Sequence, residues 1–342
     1  MNLLVCGGAG FIGSAYCRHV LATHPNDRVI VFDALTYAGH ESTLAGFRHD
    51  PRFSFVKGRI EDEHAVLAAI REHEITAVVN FAAETHNDRS LMAADAFLQT
   101  NVVGVYVLLE AVRNSGVERL LQVSTDEVYG SLDEGEWTEE SPIQPNTPYS
   151  ASKAAGDLQC RAHFKSYGTN VVVTRGGNTY GPYQYPEKLI SFFATRLFDG
   201  KPVPVYGEGT QRREWIHASD HASGIDTVLR HGKAGEVYNI SDSNERTNME
   251  VVRILLEELG RGPELVKHIE DPRKGAHDAR YSMSSSKLRS LGWKPTVDFE
   301  SGLRETVRWY KENESWWRPI TESQEYTRFT KRYYGPFLQD QS

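Results

Sequence analysis

A glycine-rich turn near the N-terminus constrains this chain more than any other stretch. The apolar run Asn2–Cys6 predicts a buried strand, and it leads directly into Gly8, Gly10 and Gly13 with the spacing G-x-G-x-x-G. Glycines at this spacing allow a tight turn, a close approach of the backbone to a pyrophosphate, and close packing of the following helix. The unpaired N–H groups at the start of that helix attract an anion. We therefore expect a strand–helix unit that binds a dinucleotide.

A second predicted strand ends in an acidic residue. Residues 28–32 begin with Arg28 and are otherwise apolar. Asp33 follows them directly and stands twenty residues after Gly13. A carboxylate at this point accepts the ribose hydroxyls of the dinucleotide and repels a 2′-phosphate. The sequence therefore predicts NAD rather than NADP as the cofactor.

Strand and helix patterns alternate through the following part of the chain. We predict strands over residues 53–56, 77–83, 120–124 and 170–175, and helices over residues 61–72 and 93–114. This alternation is typical of the α/β class, here a Rossmann-type doubly wound parallel sheet. The breaker-rich loop 176–182 then marks the start of a smaller C-terminal substrate-binding lobe.

The same pattern gives a division of the chain. We expect residues 1–176 to form an NAD-binding Rossmann domain, with a segment near residues 216–240 returning to it. Residues 177–215 and 241–319 form the nucleotide-sugar lobe in this interpretation, and residues 320–342 form a C-terminal tail without an assigned role.

Three polar residues stand at the end of the strand predicted over residues 120–124. Thr125, Asp126 and Glu127 follow it directly, and open α/β sheets place their chemistry at the carboxyl ends of strands. An acid pair there is, taken alone, most often a solvated turn or a helix N-terminus. Behind a dinucleotide fingerprint, we predict that it is catalytic.

A tyrosine and a lysine complete this predicted site. Pro148 suits a helix start, and Tyr149 and Lys153 stand four residues apart, which places both side chains on one helical face. A phenol has a pKa of about 10, and a nearby cation favours the phenolate. We therefore expect Tyr149 to act as a base near neutral pH. The loop 130–147 is expected to cover the site and lead into this helix.

Other stretches offer weaker signals for ligand contacts. The small Ala82 and Ala83 at a strand end would let a cofactor lie close, although small core residues are an equal alternative. Residues 204–207 and 212–215 supply aromatic rings and guanidinium groups that suit a base and a diphosphate, the alternative being a surface loop with an ion pair. A further polar cluster lies at residues 274–281.

Composition excludes several classes of function. The net charge is −8 and the basic residues are scattered, so no nucleic-acid footprint appears. No membrane span or targeting segment is expected, and three cysteines, Cys6, Cys17 and Cys160, fit reduced thiols in a cytoplasm. His217 and His221 could share a helix face, but we expect packing rather than a metal site there, and no metal elsewhere.

Seven stretches carry a resemblance to a known family. They are GGAGFIGS at residues 7–14, FDALTYAG at 32–39, NFAAETHNDRS at 80–90, VSTDEVYGS at 123–131, PYSASK at 148–153, YGPYQYPEKLI at 180–190 and REWIH at 213–217. From Asn2 to about Pro319 the chain resembles the extended short-chain dehydrogenase/reductases, and among them the dTDP-glucose 4,6-dehydratases. It departs from the family pattern at Arg59, Asn87, Gly176 and Gly177, and in the segment 274–278.

The resemblance implies an activity and a set of roles. The family reaction oxidises C4 of a nucleotide-linked glucose, removes water across C5 and C6, and returns the hydride to C6, with NAD tightly bound and recycled in each turnover. By resemblance, Tyr149 takes the O4 proton, Glu127 takes the C5 proton and Asp126 protonates the departing O6. Thr125 would bind O4 and Lys153 would assist Tyr149. A homodimer through a four-helix contact of residues 93–114 and 149–167 is also implied.

The family pattern also implies residues that contact the ligands. For the cofactor these are Gly7, Gly10, Phe11, Ile12, Gly13, Asp33, Leu35, Thr36, Ile60, Ala82, Ala83, Tyr149 and Lys153. For the nucleotide sugar they are Glu84, Thr85, Asn178, Lys188, Leu189, Pro204, Tyr206, Arg213, Asn239, His277 and Tyr281.

Other functions on the same scaffold stay open from sequence. They are dehydration of a UDP-sugar, and 4-epimerisation or decarboxylation of a nucleotide sugar. A non-catalytic NAD-binding protein is a more remote alternative, because such a protein need keep none of Thr125, Asp126, Glu127, Tyr149 and Lys153. The identity of the product separates these alternatives.

Overall fold

The central element of the structure is a parallel sheet. The computed structural model describes residues 1–92, 94–271 and 280–338. Its strands are β1 Asn2–Cys6, β2 Arg28–Asp33, β3 Phe53–Lys57, β4 Ala77–Asn80, β5 Arg119–Thr125, β6 Val171–Gly176, β7 Asn178–Tyr180, β8 Val203–Tyr206, β9 Arg212–His217, β10 Val237–Ile240, β11 Glu245–Thr247 and β12 Val266–Ile269.

Helices cover the sheet and build the rest of the molecule. They are α1 Phe11–Thr23, α2 Glu63–Glu72, α3 Asn87–Met92, α4 Asp95–Leu98, α5 Val105–Ser115, α6 Pro148–Tyr167, α7 Leu189–Phe198, α8 Ala218–His231, α9 Asn248–Leu259, α10 Ser286–Arg289, α11 Phe299–Glu312, α12 Glu314–Thr321, α13 Gln324–Tyr333 and α14 Gly335–Leu338. Short 3-10 turns occur at Glu41–Phe47, Asp126–Tyr129 and Pro263–Leu265, and a π-helical turn at Gln99–Gly104.

Seven strands form the large sheet in the order β10-β6-β5-β4-β1-β2-β3, and all of its strand pairs are parallel. The inner strands are buried on both faces, which explains their nearly continuous apolar sequences. The order of the strands reverses between β1 and β4, and ligands bind in the crevice at such a switch point. The predicted Rossmann-type fold class is therefore confirmed.

Two predicted elements differ from the structure. The fourth strand ends at Asn80 rather than at residue 83, because the Asn80 Oδ1 accepts the Ala82 N–H at 3.1 Å and turns the chain. The single helix predicted over residues 93–114 is instead α4, the π-helical turn and α5. The stretch Asp95–Ser115 is long and apolar enough to cross a membrane by length and composition, but half of its apolar window is buried inside the protein.

Smaller sheets lie beyond β6. Strands β11, β9 and β7 form one, and β12 and β8 form the other, and they share an aromatic-rich core with α7, α9 and α11. Strand β10 returns to the large sheet beside β6. The division of the chain into an NAD-binding domain and a substrate lobe stays a prediction, with this strand membership in its favour.

The described part of the tail packs onto this second core. Trp317 donates its indole N–H to the Tyr310 carbonyl at 2.7 Å, and the Tyr326 hydroxyl donates to the Pro186 carbonyl at 2.8 Å. Helices α12 and α13 are therefore held by buried aromatic side chains.

Candidate active site

A cavity of about 420 Å³ lies at the carboxyl ends of the parallel strands. Its wall includes Gly7 after β1, Asp33 at the end of β2, Ala82 after β4, Thr125 at the end of β5 and Gly176 at the end of β6. The cavity therefore occupies the crevice that the reversal of strand order creates.

One end of the cavity is a backbone cradle at the start of α1. Gly10 is the N-cap of this helix and no side chain caps it, so the first N–H groups face the cavity side of the turn. A Cβ at Gly13 would lie 2.3 Å from the Gly7 carbonyl oxygen, and a Cβ at Gly7 would lie 2.5 Å from the Ala82 nitrogen. Side chains are therefore excluded where a pyrophosphate has to approach, which fits a dinucleotide.

Asp33 is fixed beside this cradle by two backbone groups. Its carboxylate accepts the Ala9 N–H at 2.9 Å and the Leu35 N–H at 2.8 Å. Burial raises the pKa of Asp33 even though both hydrogen bonds favour the charged form. Each oxygen keeps a lone pair, so the carboxylate can accept the hydroxyls of a ribose.

Helix α6 brings Tyr149 and Lys153 to the opposite end of the cavity. It begins with a capping box in which Thr147 and Ser150 bond reciprocally, and Pro148 occupies its first turn. Lys153 is buried and donates to the Val123 carbonyl of β5 at 2.7 Å. Burial lowers the pKa of this ammonium to about 8.

The sequence predicts that Lys153 lowers the pKa of Tyr149. In the protein without a bound cofactor this prediction is wrong. Burial raises the pKa of the phenol above its usual range, and the charges of Glu127 and Asp126 raise it further. A hydrogen bond with Thr125 opposes these effects. Burial is the largest cause, and Lys153 does not offset it, because its ammonium is directed at the Val123 carbonyl.

The acid pair follows β5 in the 3-10 turn Asp126–Tyr129. Thr125 caps this turn, and its hydroxyl donates to Asp126 Oδ1 at 3.0 Å and accepts the Glu127 N–H at 3.3 Å. Burial, and then the charge of Glu127, raise the pKa of Asp126 to about 8. Asp126 therefore holds a proton at neutral pH, as a general acid must.

Most of the sequence-predicted residues meet in this one cavity. The five catalytic candidates line it, as do the cofactor candidates Gly7, Gly10, Phe11, Ile12, Gly13, Asp33, Thr36, Ile60, Ala82 and Ala83. The substrate candidates Glu84, Thr85, Asn178, Lys188, Leu189, Pro204, Tyr206, Arg213 and Tyr281 also line it.

Two candidates lie off the cavity wall that the described residues form. Leu35 packs against the apolar core below β2, and only its backbone takes part, through the bond to Asp33. Asn239 is fully buried and accepts the Tyr129 hydroxyl at 2.8 Å. Its amide side chain is therefore engaged away from the cavity. His277 and the segment 274–278 lie outside the described residues.

The loop 130–147 also differs from expectation. Its Trp137 pairs with Met283, and Glu139 accepts the Asn239 N–H at 2.9 Å. The loop lies against β10 and residues 280–284, and the cavity wall described here contains none of its residues. It leads into α6 as predicted, but it does not cover the cavity.

Several residues of the cavity wall were not predicted as site residues, and His221 was expected only to pack. His221 is fully buried, and burial lowers its pKa to about 4, so its imidazole is neutral. A Cβ at Gly176 would lie 2.3 Å from this ring, so the glycine makes room for it. Glu187, and Tyr334 from the tail, also line the cavity. The spacing of apolar residues carries no signal for such long-range contacts. A glycine at the end of a strand, such as Gly176, does indicate that another group approaches the backbone closely.

Comparisons with known proteins agree with this geometry. A family model described as GDP-mannose 4,6 dehydratase matches residues 4–306. The chain is 48% identical over 332 residues to a dTDP-glucose 4,6-dehydratase of Streptomyces niveus, covering 96% of this chain and 98% of the relative.

Two solved structures show the same similarity. A dTDP-glucose 4,6-dehydratase of Streptomyces venezuelae with NAD and TYD bound superposes with a TM-score of 0.91 at 50% identity, covering 94% of this chain and 100% of the other. One from Bacillus anthracis in complex with NAD has a TM-score of 0.87 at 45% identity, covering 94% of this chain and 99% of the other.

Proposed function

Since the chain belongs to the GDP-mannose 4,6 dehydratase family, and within it to the dTDP-glucose 4,6-dehydratases, we propose that it converts dTDP-glucose to dTDP-4-keto-6-deoxyglucose. One observation carries the proposal. Asp126 and Glu127 stand side by side at the end of β5, in the cavity that Tyr149 also lines, and Asp126 is held in its protonated form. Removal of water needs such a pair of one acid and one base.

The cofactor in this proposal is NAD. The glycine cradle at the start of α1 would hold the pyrophosphate and Asp33 the adenosine ribose. When bound, NAD would supply a reversible hydride acceptor, so that the hydrogen removed from C4 could return to C6 as a proton returns to C5, with no net oxidation. Because it is regenerated in every turnover, the cofactor should stay with the protein through purification.

Tyr149 carries the first proton transfer. Its phenolate oxygen takes the O4 proton as C4 is oxidised, and Thr125, which lines the same cavity, would hold O4 through its own hydroxyl. The raised pKa of Tyr149 means that the neighbouring cations, Lys153 and the positively charged nicotinamide, must favour its phenolate in the complete site. Lys153 is one turn along α6 and is buried with it.

The acid pair then removes water. A ketone at C4 acidifies the C5 proton, which Glu127 takes as a base. Asp126 gives its proton to O6, and O6 departs as water. The pKa of about 8 keeps Asp126 protonated below that pH, and it rises to that value partly because Glu127 is beside it. The two carboxyl groups therefore divide the roles of acid and base.

The far wall of the cavity suits a nucleoside diphosphate. The guanidinium of Arg213 lies 4.5 Å from the ring centre of Tyr281, and Tyr206 lines the same cavity. Lys188 donates to the Thr85 carbonyl at 2.8 Å, so its charge is fixed at the edge of the cavity. A fork-shaped cation and a point charge are suitable partners for two phosphates.

Product analysis tests this proposal. We would incubate the purified protein separately with dTDP-glucose, UDP-glucose and GDP-mannose, and follow each nucleotide sugar by mass spectrometry. We expect dTDP-glucose to give a product lighter by one water, and Glu127→Gln to slow this by about 10²–10⁴-fold. A product of unchanged mass would instead indicate an epimerase. Faster dehydration of UDP-glucose would overturn the nucleotide assignment.

We also propose a homodimer. Apolar side chains lie exposed on two helical stretches that pack together, residues 95–115 and α6; they are Leu98, Val103, Tyr106, Leu158 and Tyr167. A second copy of the same two stretches would cover them and form a four-helix contact. Light scattering should give twice the chain mass, and Leu158→Arg should give the monomer. A wild-type monomer at micromolar concentration would contradict the proposal.

We place the enzyme in the cytoplasm. Cys6, Cys17 and Cys160 are all free and buried, which suits a reducing compartment. Fractionation of cells that express the full chain tests this, and recovery in an extracellular fraction would contradict it.

A further inference from the structure

Asn87 joins the acid pair to the helix that carries Tyr149. Its amide Nδ2 donates to Glu127 Oε2 at 2.6 Å, and its Oδ1 accepts the Thr147 hydroxyl at 3.0 Å. The three residues come from separate parts of the sequence, and the half-buried Asn87 is itself on the cavity wall.

The orientation of the Asn87 amide is fixed by its partners. A carboxylate accepts hydrogen bonds and does not donate them, so the amide nitrogen must face Glu127 and the oxygen must face Thr147. Thr147 also bonds reciprocally with Ser150 as the N-cap of α6. The backbone of Asn87 is held as well, because the Ser90 hydroxyl donates to its carbonyl at 2.7 Å.

We propose that Asn87 is a positioning residue whose amide N–H holds the Glu127 carboxylate and aims it at C5 of the sugar. The proposal rests on the role of Glu127 as the base in the proposed function. A hydrogen bond to the charged form of a carboxyl group favours that form, and bonds to charged groups are the stronger ones. The link to Thr147 ties this carboxylate to the start of α6, two residues before Tyr149.

The step that Asn87 serves is the elimination. Glu127 takes the proton from C5, the electrons of that C–H bond form the C5–C6 double bond, and the C6–O6 bond breaks. O6 leaves as water with the proton from Asp126. The ionisable groups that face Asp126 are Glu127 beside it and Arg213 and Glu214 on β9. The neutral Tyr149 phenol on α6 faces both carboxyl groups.

Substitutions at Asn87 separate its two bonds. Asn87→Val removes both the donor and the acceptor, whereas Asn87→Asp keeps an acceptor for Thr147 and places a carboxylate against Glu127. We expect dehydration to slow about 10- to 100-fold in Asn87→Val, and more in Asn87→Asp at neutral pH. Ser90→Ala is the matched control, because it removes a bond in the same helical turn without reaching Glu127.

The kinetic isotope effect at C5 reports on the proton transfer to Glu127, and a mere loss of packing around residue 87 would not change it. With dTDP-glucose deuterated at C5, the isotope effect on kcat should increase in Asn87→Val relative to wild type and Ser90→Ala. In a Glu127→Gln background, Asn87→Val should add little, because the group that it positions is already gone. Additive losses there, or wild-type rates and isotope effects in both Asn87 variants, would overturn the proposal.

The same set distinguishes this failure from failure of the proposed function. If Glu127→Gln itself kept full activity, Glu127 would not be the base, and the function assigned to the acid pair would fail. If Glu127→Gln were slow but Asn87→Asp behaved like Ser90→Ala, the catalytic assignment would stand and only the role of Asn87 would be lost.

Discussion

The raised pKa of Asp126 links activity to stability in a way that a single substitution tests. The carboxyl group has a pKa of about 8 in the folded protein against an ordinary 3.8, because it is buried beside Glu127. The folded state therefore binds a proton that the unfolded chain releases between these two pH values. A group with a raised folded pKa makes its full contribution to stability below the unfolded pKa, and loses it as pH rises towards the folded pKa.

The size of this loss follows from the linkage relation. Each pH unit between about 4 and 8 lowers the free energy of unfolding by about 1.4 kcal/mol. At pH 7 the ionisation of this residue has therefore cost the wild-type protein about 4 kcal/mol of stability. Asparagine has no proton to release. We therefore expect Asp126→Asn to be more stable than wild type at pH 7, with a much smaller difference at pH 5.

Thermal unfolding of both proteins at pH 5, 6 and 7 measures this difference, and the exposed Asp133→Asn is the control. The same variant should lose about 10²–10⁴-fold in dehydration rate, since an amide cannot give a proton to O6. Wild-type activity should fall above about pH 8 as Asp126 ionises. A stability difference that stays constant from pH 5 to 7 would show that Asp126 does not bind its proton more tightly in the folded protein.

Two further predictions concern other parts of the fold. In Gly13→Ala the new methyl group would lie 2.3 Å from the Gly7 carbonyl oxygen, so the turn must shift and the purified protein should lose its bound NAD. Heating the protein and measuring the absorbance of the released NAD tests this. NAD retained at the wild-type level would contradict the prediction. Asp226 bonds to Arg230 at 2.9 Å and to His24 at 2.8 Å. Burial raises its pKa, but hydrogen bonds from His19 and Arg230 outweigh burial and hold the pKa well below its usual range. Asp226→Asn should therefore cost about 2–3 kcal/mol at pH 7. Because the folded pKa is lowered, this deficit should shrink as pH falls below about 4, and a deficit that grows towards acid would contradict the assignment.

Local patterns in the sequence predicted much of the fold and the centre of the site. Strand β1, the glycine turn and Asp33 lie within one continuous stretch, so their spacing alone specifies a βα unit. Thr125, Asp126 and Glu127 follow a strongly apolar strand, which places them at the sheet edge without knowledge of the other strands.

The remaining features depend on contacts between distant segments. Asn87 and Glu127 are joined only because the start of α3 lies next to the turn that follows β5. Tyr334 faces the cavity because the tail packs on the second core. The direction of the Lys153 ammonium towards the Val123 carbonyl depends on side-chain packing that a four-residue spacing does not specify. Such contacts are tertiary, and periodicity does not encode them.

In the proposed reaction, C4 is oxidised, water is eliminated and the same hydrogen returns to C6, all within the cavity at the ends of the strands. The most direct measurement is proton NMR of the product from dTDP-glucose deuterated at C4, in ordinary water and without added NAD. We expect a product lighter by one water, with the deuterium in its C6 methyl group. Deuterium lost to solvent, or an epimer that keeps it at C4, would rule out this reaction.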